Sequence, residues 1–125
     1  MTAIARHMTR QPWSVQLDDS VAVARQMLAQ REIHHLPVLD GKLLVGIVTE
    51  RDLALASNRV AATVEQVMTT VHRVDKGMPL EEVLEMMYSS RNDAVVVTDG
   101  DRVEGIFTAM DAVRVLHQRL RRHAA

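Results

Sequence analysis

The sequence contains no cysteine and very few aromatic residues. Aromatic side chains make up 2% of its 125 residues and are Trp13, Tyr88 and Phe107. The lack of cysteine excludes disulfide bonds, thiolate zinc sites, iron–sulfur clusters and cysteine nucleophiles. The scarcity of aromatic residues excludes a platform on which nucleic-acid bases stack.

The chain also lacks a long hydrophobic run and an excess of charge of one sign. No apolar stretch approaches the roughly 20 residues that span a bilayer, and the first residues contain no hydrophobic signal-peptide core. The formal net charge is −1 at pH 7, whereas nucleic-acid-binding proteins usually carry a basic excess. We therefore expect a cytoplasmic globular protein that contacts neither membrane nor nucleic acid.

The common motifs of catalysis and metal binding are missing as well. The sequence has no G-x-S-x-G nucleophile motif, no phosphate-binding loop with its lysine and no G-x-G-x-x-G. His34 and His35 are adjacent, without the i, i+4 spacing that places two metal ligands on one helix face. We therefore expect neither an enzyme nor a metal site.

The dominant feature of the chain is an internal repeat. When the sequence is shifted by 59 residues, residue types coincide at many positions, and a Met-Thr pair coincides at a shift of 60. The coinciding pairs include Met27 and Met86, Val38 and Val97, Gly46 and Gly105, Thr49 and Thr108, and Asp52 and Asp111. The sequence predicts repeat units over residues 4–60 and 61–118, a junction between Ala56 and Ala62, and a basic helix end or tail over 119–125.

Both halves predict the same order of secondary structure. In the first, Ser20 is a candidate N-cap for a helix over Val21 to Arg31, whose apolar residues recur at helical spacing. Strands over 36–39 and 43–48 follow, joined by an Asp-Gly turn, and Thr49 begins a second helix. In the second half, Pro79 is predicted at the first helical position. The fold class is therefore α/β (α+β), with a β-α-β-β-α unit used twice.

One motif, G-h-h-T-x-x-D with h hydrophobic, occurs in both halves. It covers Gly46 to Asp52 and Gly105 to Asp111. Thr-x-x-Asp resembles a capping box, in which the threonine and the acid satisfy free helix N–H groups. The same groups also suit a nucleotide, because a hydroxyl bonds phosphate and a carboxylate accepts bonds from two ribose hydroxyls. The glycines permit close backbone approach.

In this order and in two copies, the motifs resemble cystathionine-β-synthase (CBS) domains. The matching segments are Met8-Thr9, His35 to Val38, Asp40-Gly41 and Gly46 to Asp52, followed by Val67 to Thr69, Val95 to Val97, Asp99-Gly100 and Gly105 to Asp111. The resemblance implies two units packed through their sheets into one module, with clefts between the halves. It also implies a regulatory adenosine-containing ligand, namely AMP, ADP, ATP, S-adenosylmethionine or NAD(H), no required cofactor, and a homodimer.

The resemblance also implies which residues contact the ligand. The ribose and phosphate contacts would come from the two motifs, through Gly46, Thr49, Arg51, Asp52, Gly105, Thr108 and Asp111. The adenine would lie in an apolar slot near Val15, Pro37 and Val38 in one cleft, and near Val74, Val96 and Val97 in the other, with backbone groups at His35 and Ala94 reading the base edge.

The two halves differ at two of these positions. Val96 stands where the first half has Pro37, and Met110 stands where the first half has Arg51. Only the first motif therefore offers a cation at that position, with His34 or Arg31 as further candidates. We expect the two clefts to be unequal, with tighter phosphate binding where Arg51 points.

Three functional hypotheses follow. The first is a stand-alone regulatory module that senses an adenosine ligand and acts on an effector protein in trans, because only about ten residues follow the repeat. The second is a structural dimerisation or adaptor protein with vestigial clefts. The third is a nucleic-acid contact by the basic tail, which the near-zero net charge disfavours.

Overall fold

The computed structural model describes residues 2–56 and 62–124. The chain forms two compact units, one over Pro12–Val71 and one over Met1–Gln11 with His72–Ala125. We call them the first-repeat unit and the second-repeat unit. Each unit therefore combines most of one repeat with a segment that carries a Met-Thr pair. The predicted sequence ranges 4–60 and 61–118 stay a prediction, and residues 57–61 of the predicted junction lie outside the described residues.

Seven strands and five α-helices follow a 3-10 turn at Ile4–Arg6 in the described part of the chain. In chain order they are β1 Thr9–Arg10, β2 Val15–Gln16, α1 Val21–Arg31, β3 His35–Asp40, β4 Leu43–Thr49, α2 Glu50–Leu55, α3 Val64–Val67, β5 Arg73–Asp75, α4 Leu80–Ser90, β6 Ala94–Asp99, β7 Arg102–Thr108 and α5 Ala109–Ala124.

The order of these elements confirms the predicted β-α-β-β-α repeat and the mixed α/β fold. In the first-repeat unit β2 pairs with β3 in parallel, and β3 pairs with β4 antiparallel. The second-repeat unit has the sheet order β1-β7-β6-β5, with the same senses for β5-β6 and β6-β7. The turn glycines Gly41 and Gly100 have φ of 65° and 61°, which glycine adopts without steric cost.

The helix over Val21–Arg31 has the predicted bounds. The backbone N–H of Val23 donates to Ser20 Oγ at 3.1 Å, so Ser20 is the N-cap. Val21, Ala24 and Leu28 are buried and belong to the hydrophobic core of the first-repeat unit. The spacing of its apolar residues therefore identified the packed face of this helix correctly.

The prediction for Pro79 was wrong by one position. Pro79 is the N-cap of α4, with an extended ψ of 141°, and the helix begins at Leu80. Proline lacks an N–H and has φ fixed near −65°, so it fits the first helical position or the residue before it. The helix thus starts one residue later than predicted. Its first backbone N–H, that of Leu80, donates to Thr2 O in the amino-terminal segment at 2.9 Å.

The amino-terminal segment completes the second-repeat unit. Ile4 is fully buried in the core of that unit, and its N–H donates to Met78 O. Thr9 then pairs with Ile106 across β1 and β7. In the first-repeat unit the isolated bridge between Thr69 and Ile47 takes the equivalent place. Each Met-Thr pair is therefore held at the strand that carries the glycine of a motif.

None of the helices in the described part of the chain is both long enough and apolar enough to cross a membrane.

Candidate functional site

The first motif forms a complete capping box. Thr49 ends β4 in an extended conformation, and the backbone N–H of Asp52 donates to Thr49 Oγ1 at 3.2 Å. In return, Asp52 Oδ2 accepts bonds from the Thr49 N–H at 2.9 Å and from Thr49 Oγ1 at 3.1 Å. These bonds satisfy helix N–H groups at the start of α2.

The second motif has nearly the same geometry. Asp111 N–H donates to Thr108 Oγ1 at 3.3 Å. Asp111 Oδ2 accepts from the Thr108 N–H at 2.9 Å and from Thr108 Oγ1 at 3.2 Å. The capping interpretation therefore describes both copies, and in both copies one carboxylate oxygen is occupied by the threonine.

The other carboxylate oxygen distinguishes the two motifs. Asp111 Oδ1 accepts a bond from Thr9 Oγ1 at 3.3 Å and one from Arg114 Nη2 at 3.4 Å. The same Arg114 nitrogen donates to the carbonyl oxygen of His7 at 2.6 Å. The second motif is thus bonded to the amino-terminal segment of its own unit.

The equivalent bonds are missing from the first motif. Within residues 2–56 and 62–124, Asp52 Oδ1 has no hydrogen-bond donor. Leu55 stands three residues after Asp52, where the second motif has Arg114. Thr69, the counterpart of Thr9, donates its hydroxyl to Ile47 O at 3.4 Å instead.

Each motif glycine lies against a Met-Thr pair. A Cβ built on Gly46 would lie 2.7 Å from Met68 Sδ and 3.0 Å from Thr69 O. On Gly105 it would lie 2.5 Å from Met8 Sδ and 2.7 Å from Thr9 O. The close approach that these glycines permit is therefore made by the protein's own backbone, and their contact with a ligand stays a prediction.

The candidate cations near the first motif differ in their contacts. Arg51 is exposed and has no hydrogen bond or ion pair among the described residues. His34 Nδ1 lies 2.9 Å from Glu50 Oε1, with both side chains largely exposed. The Arg31 guanidinium lies over the Trp13 ring, 3.9 Å from its centroid. Arg51 is thus the one of these three side chains that makes no such contact within the part of the chain described.

The residues predicted to line the base slots are mostly buried. Val15 and Val38 belong to the core of the first-repeat unit, and Val74 and Val97 to that of the second. Pro37, Ala94 and Val96 are also buried, and His35 is partly buried. Their contact with an adenine ring stays a prediction.

Pro37 and Val96 determine how far the neighbouring parallel strand pairs with the strand that carries them. The Val96 N–H donates to His72 O at 2.9 Å, which extends the pairing of β5 with β6. Pro37 has no N–H to make the equivalent bond. Accordingly, β5 has three residues and β2 has two.

His7 is a titratable group near the second motif, and the pKa of its side chain is lowered. Burial lowers the pKa of His7, and the positive charges of Arg119, Arg114 and Arg6 lower it further. Its Nε2 lies 2.8 Å from Thr2 Oγ1. In the described ranges no three His, Asp or Glu side chains come together as metal ligands do.

Sequence reasoning missed the roles of Thr9, His7 and Arg114. Arg114 lies three residues after Asp111, so an i, i+3 contact on one helix face was visible in the sequence. The Met8-Thr9 pair was recognised as part of the repeat. Its attachment to the carboxylate of Asp111 was not visible, because it joins distant parts of the chain.

Comparison with known proteins identifies relatives of both repeats. The CBS domain family matches residues 3–59 and 64–118. Inosine-5'-monophosphate dehydrogenase of Nitrosopumilus maritimus is 34% identical over 107 residues, which cover 83% of this chain and 22% of that enzyme. The chain thus spans less than a quarter of the length of this relative.

Two solved structures have the same fold over nearly the full chain. A CBS domain pair in complex with 5'-methylthioadenosine and S-adenosyl-L-methionine has a TM-score of 0.87 and 29% identity, with 95% of this chain and 98% of that chain covered. CBSX2 in complex with AMP has a TM-score of 0.83 and 25% identity, with 94% and 98% covered.

Proposed function

The chain belongs to the CBS domain family, and we propose that it is a regulatory module that binds an adenosine-containing ligand. Two similar CBS proteins were solved with 5'-methylthioadenosine and S-adenosyl-L-methionine, and with AMP. These three molecules share the adenosyl group. The adenosyl group is therefore the ligand feature that we propose for this chain.

The observation that carries the proposal is the Asp52 carboxylate. Its Oδ2 is held by Thr49, while its Oδ1 has no donor within the described residues. A carboxylate held by one oxygen is fixed in position, and its other oxygen can accept bonds from ribose hydroxyls. Arg51, exposed and one residue away, supplies a positive charge for a phosphate or a carboxylate of the ligand.

The other binding residues follow from the family resemblance. We propose that Thr49, Gly46 and Arg51 contact the ribose or phosphate at one site, and that Gly105, Thr108 and Asp111 do so at the other. We propose base slots near Val15, His35, Pro37 and Val38, and near Val74, Ala94, Val96 and Val97. Because most of these side chains are buried, the base would be read mainly through backbone groups.

The output of the module is proposed to be a protein contact, through a homodimer and an effector in trans. Helix α5 supports this proposal, because it exposes an apolar face. Met110, Val113, Leu116 and Leu120 recur on it at helical spacing and are each 58% exposed or more. Exposed apolar faces of this kind are typical of protein interfaces. A ligand would change the output only by binding one arrangement of the protein better than another.

A second candidate function is a structural adaptor without a ligand. The same α5 face favours it, and so do the two capping boxes, because they give Thr49, Asp52, Thr108 and Asp111 a role in folding alone. Under this function the relatives' ligands have no counterpart here, and the module acts only by holding partners together. It makes the opposite prediction to the regulatory module for any ligand screen.

A thermal-unfolding screen separates the two functions. The full chain would be heated with AMP, ADP, ATP, S-adenosylmethionine, 5'-methylthioadenosine, NAD or NADH, and with GMP as a control for the base. A ligand at 100 times its Kd stabilises by about 2.7 kcal/mol, which raises the Tm by several degrees in a protein of this size. We expect such a shift with at least one adenosyl compound, and a smaller one in Asp52→Asn.

The adaptor function predicts a different result. No compound would then change the Tm of the wild-type protein, although the protein unfolds cooperatively. Loss of the shift in Arg121→Leu, a variant at the far end of α5, would instead point to a general charge effect.

A further inference from the structure

Arg114 joins the second motif to the amino-terminal segment of the second-repeat unit. It lies one turn after Asp111 on α5, and its Nη2 donates to His7 O at 2.6 Å and to Asp111 Oδ1 at 3.4 Å. Thr9, two residues after His7, donates its hydroxyl to the same Asp111 oxygen at 3.3 Å. The amino-terminal segment is thereby attached to the second motif through a charged side chain.

These bonds use the acceptor capacity of Asp111. Its Oδ2 accepts two bonds from Thr108, and its Oδ1 accepts from Thr9 and Arg114. A carboxylate offers about four lone-pair positions in total. A ligand hydroxyl that bonds Asp111 must therefore displace Thr9, Arg114 or Thr108.

The first motif lacks this arrangement in both of its parts. Leu55 replaces the arginine, and Thr69 donates its hydroxyl to Ile47 O rather than to Asp52. Asp52 keeps both bonds from Thr49. The two motifs have the same capping geometry and differ, within residues 2–56 and 62–124, in whether the second carboxylate oxygen is already bonded.

We infer that Arg114 closes the Asp111 motif, so that an adenosyl ligand binds the Asp52 motif more tightly. This inference rests on the proposed function and adds the residue that makes the two sites unequal. Binding at Asp111 requires that the Arg114 and Thr9 bonds be broken, and this cost lowers affinity there. We expect the difference between the sites to be about tenfold or more, equal to about 1.4 kcal/mol.

The test measures each site in isolation by calorimetric titration with AMP and with S-adenosylmethionine. In an Asp52→Asn background, binding reports the Asp111 motif. Arg114→Leu, which introduces the residue type of the first repeat, is expected to strengthen that binding about tenfold, equal to about 1.4 kcal/mol. Arg121→Leu removes the same charge from the last turn of α5 and is expected to change it little.

The reciprocal variant introduces the closing residue into the first motif. In an Asp111→Asn background, binding reports the Asp52 motif. Leu55→Arg places a guanidinium three residues after Asp52, which is the spacing that brings Arg114 to Asp111 in the second motif. We expect it to weaken AMP binding several-fold. Circular dichroism and thermal unfolding of each variant verify that the protein is folded.

Two results would overturn the inference while leaving the proposed function intact. One is equal affinity of the two motifs in otherwise wild-type protein. The other is weaker or unchanged binding at Asp111 in folded Arg114→Leu, because Arg114 would then contact the ligand or have no influence on it. If folded wild-type protein binds none of the adenosyl compounds in the thermal screen, the proposed function itself is overturned, and this inference with it.

Discussion

The Thr49–Asp52 and Thr108–Asp111 motifs share a capping box and a sequence pattern, yet their carboxylates have different surroundings. The Thr49 N–H and the Thr108 N–H each lie 2.9 Å from the Oδ2 of their aspartate. The two differ at the other carboxylate oxygen, because Asp111 Oδ1 also accepts hydrogen bonds from Thr9 and Arg114. A duplicated motif can therefore keep its local folding role in both copies while, among the described residues, the second carboxylate oxygen accepts hydrogen bonds in one copy and none in the other.

The largest expected effect on stability comes from filling the space at the motif glycines. Gly105→Ala would place a Cβ 2.7 Å from the backbone oxygen of Thr9, which cannot move without disturbing β1. Overpacking of this kind costs about 1–3 kcal/mol. Gly46→Ala meets Thr69 O at 3.0 Å and should cost less. Chemical denaturation of both variants checks the order, and equal stability of Gly105→Ala and wild type would contradict it.

A smaller effect is expected from the aspartates themselves. Asp111→Asn weakens the bond to Arg114 and the charge-assisted cap, whereas Asp52→Asn affects the cap alone. Loss of a cap costs about 1 kcal/mol, and a partly exposed ion pair adds up to about 1 kcal/mol. Urea unfolding should therefore rank Asp111→Asn below Asp52→Asn in free energy of unfolding. The reverse rank would show that the ion pair between Asp111 and Arg114 contributes nothing to the free energy of unfolding.

The smallest expected effect is a pH dependence of stability that arises from His7 in the second-repeat unit. The pKa of His7 is lowered chiefly by burial and then by nearby arginines, so the unfolded chain binds a proton more readily than the folded one. Stability should be fully present above about pH 6.5, the ordinary His value, and should decline as the pH falls below it. Val67, the counterpart of His7, does not titrate.

The variant His7→Gln tests this pH dependence. Thermal unfolding between about pH 7.5 and pH 5.5 should show a shallower decline in Tm for the variant than for wild type. A parallel decline in the two proteins would assign the effect to other groups. Val67→Gln, at the equivalent place in the first-repeat unit, is the matched control and should leave the slope unchanged.

Local signals made much of the fold predictable from sequence. The Ser20 cap and the spacing of Val21, Ala24 and Leu28 gave the bounds and the packed face of α1, because helices depend on neighbouring residues. The Asp-Gly turns located both hairpins for the same reason. The capping boxes were predicted as well, since Thr and Asp lie three residues apart.

Contacts between distant segments were not predictable in this way. The two-residue strand at Thr9 is too short to show an alternating hydrophobic pattern. Its pairing with Ile106 depends on the tertiary structure that places β7 beside it. The bond from Arg114 to His7 O likewise needs the tertiary structure. The substitution of Val96 for Pro37 was visible as a departure, but its consequence, one more residue in β5 than in β2, depends on the position of His72 O.

The most direct test of the inequality between the motifs is a titration of the ¹⁵N-labelled protein with AMP, or with the adenosyl compound that most raises the Tm, followed through the amide signals of Asp52 and Asp111. We predict that the Asp52 signal shifts at ligand concentrations about tenfold lower than the Asp111 signal. Parallel shifts of the two signals, or a shift of Asp111 first, would contradict the claim that Arg114 closes the second motif.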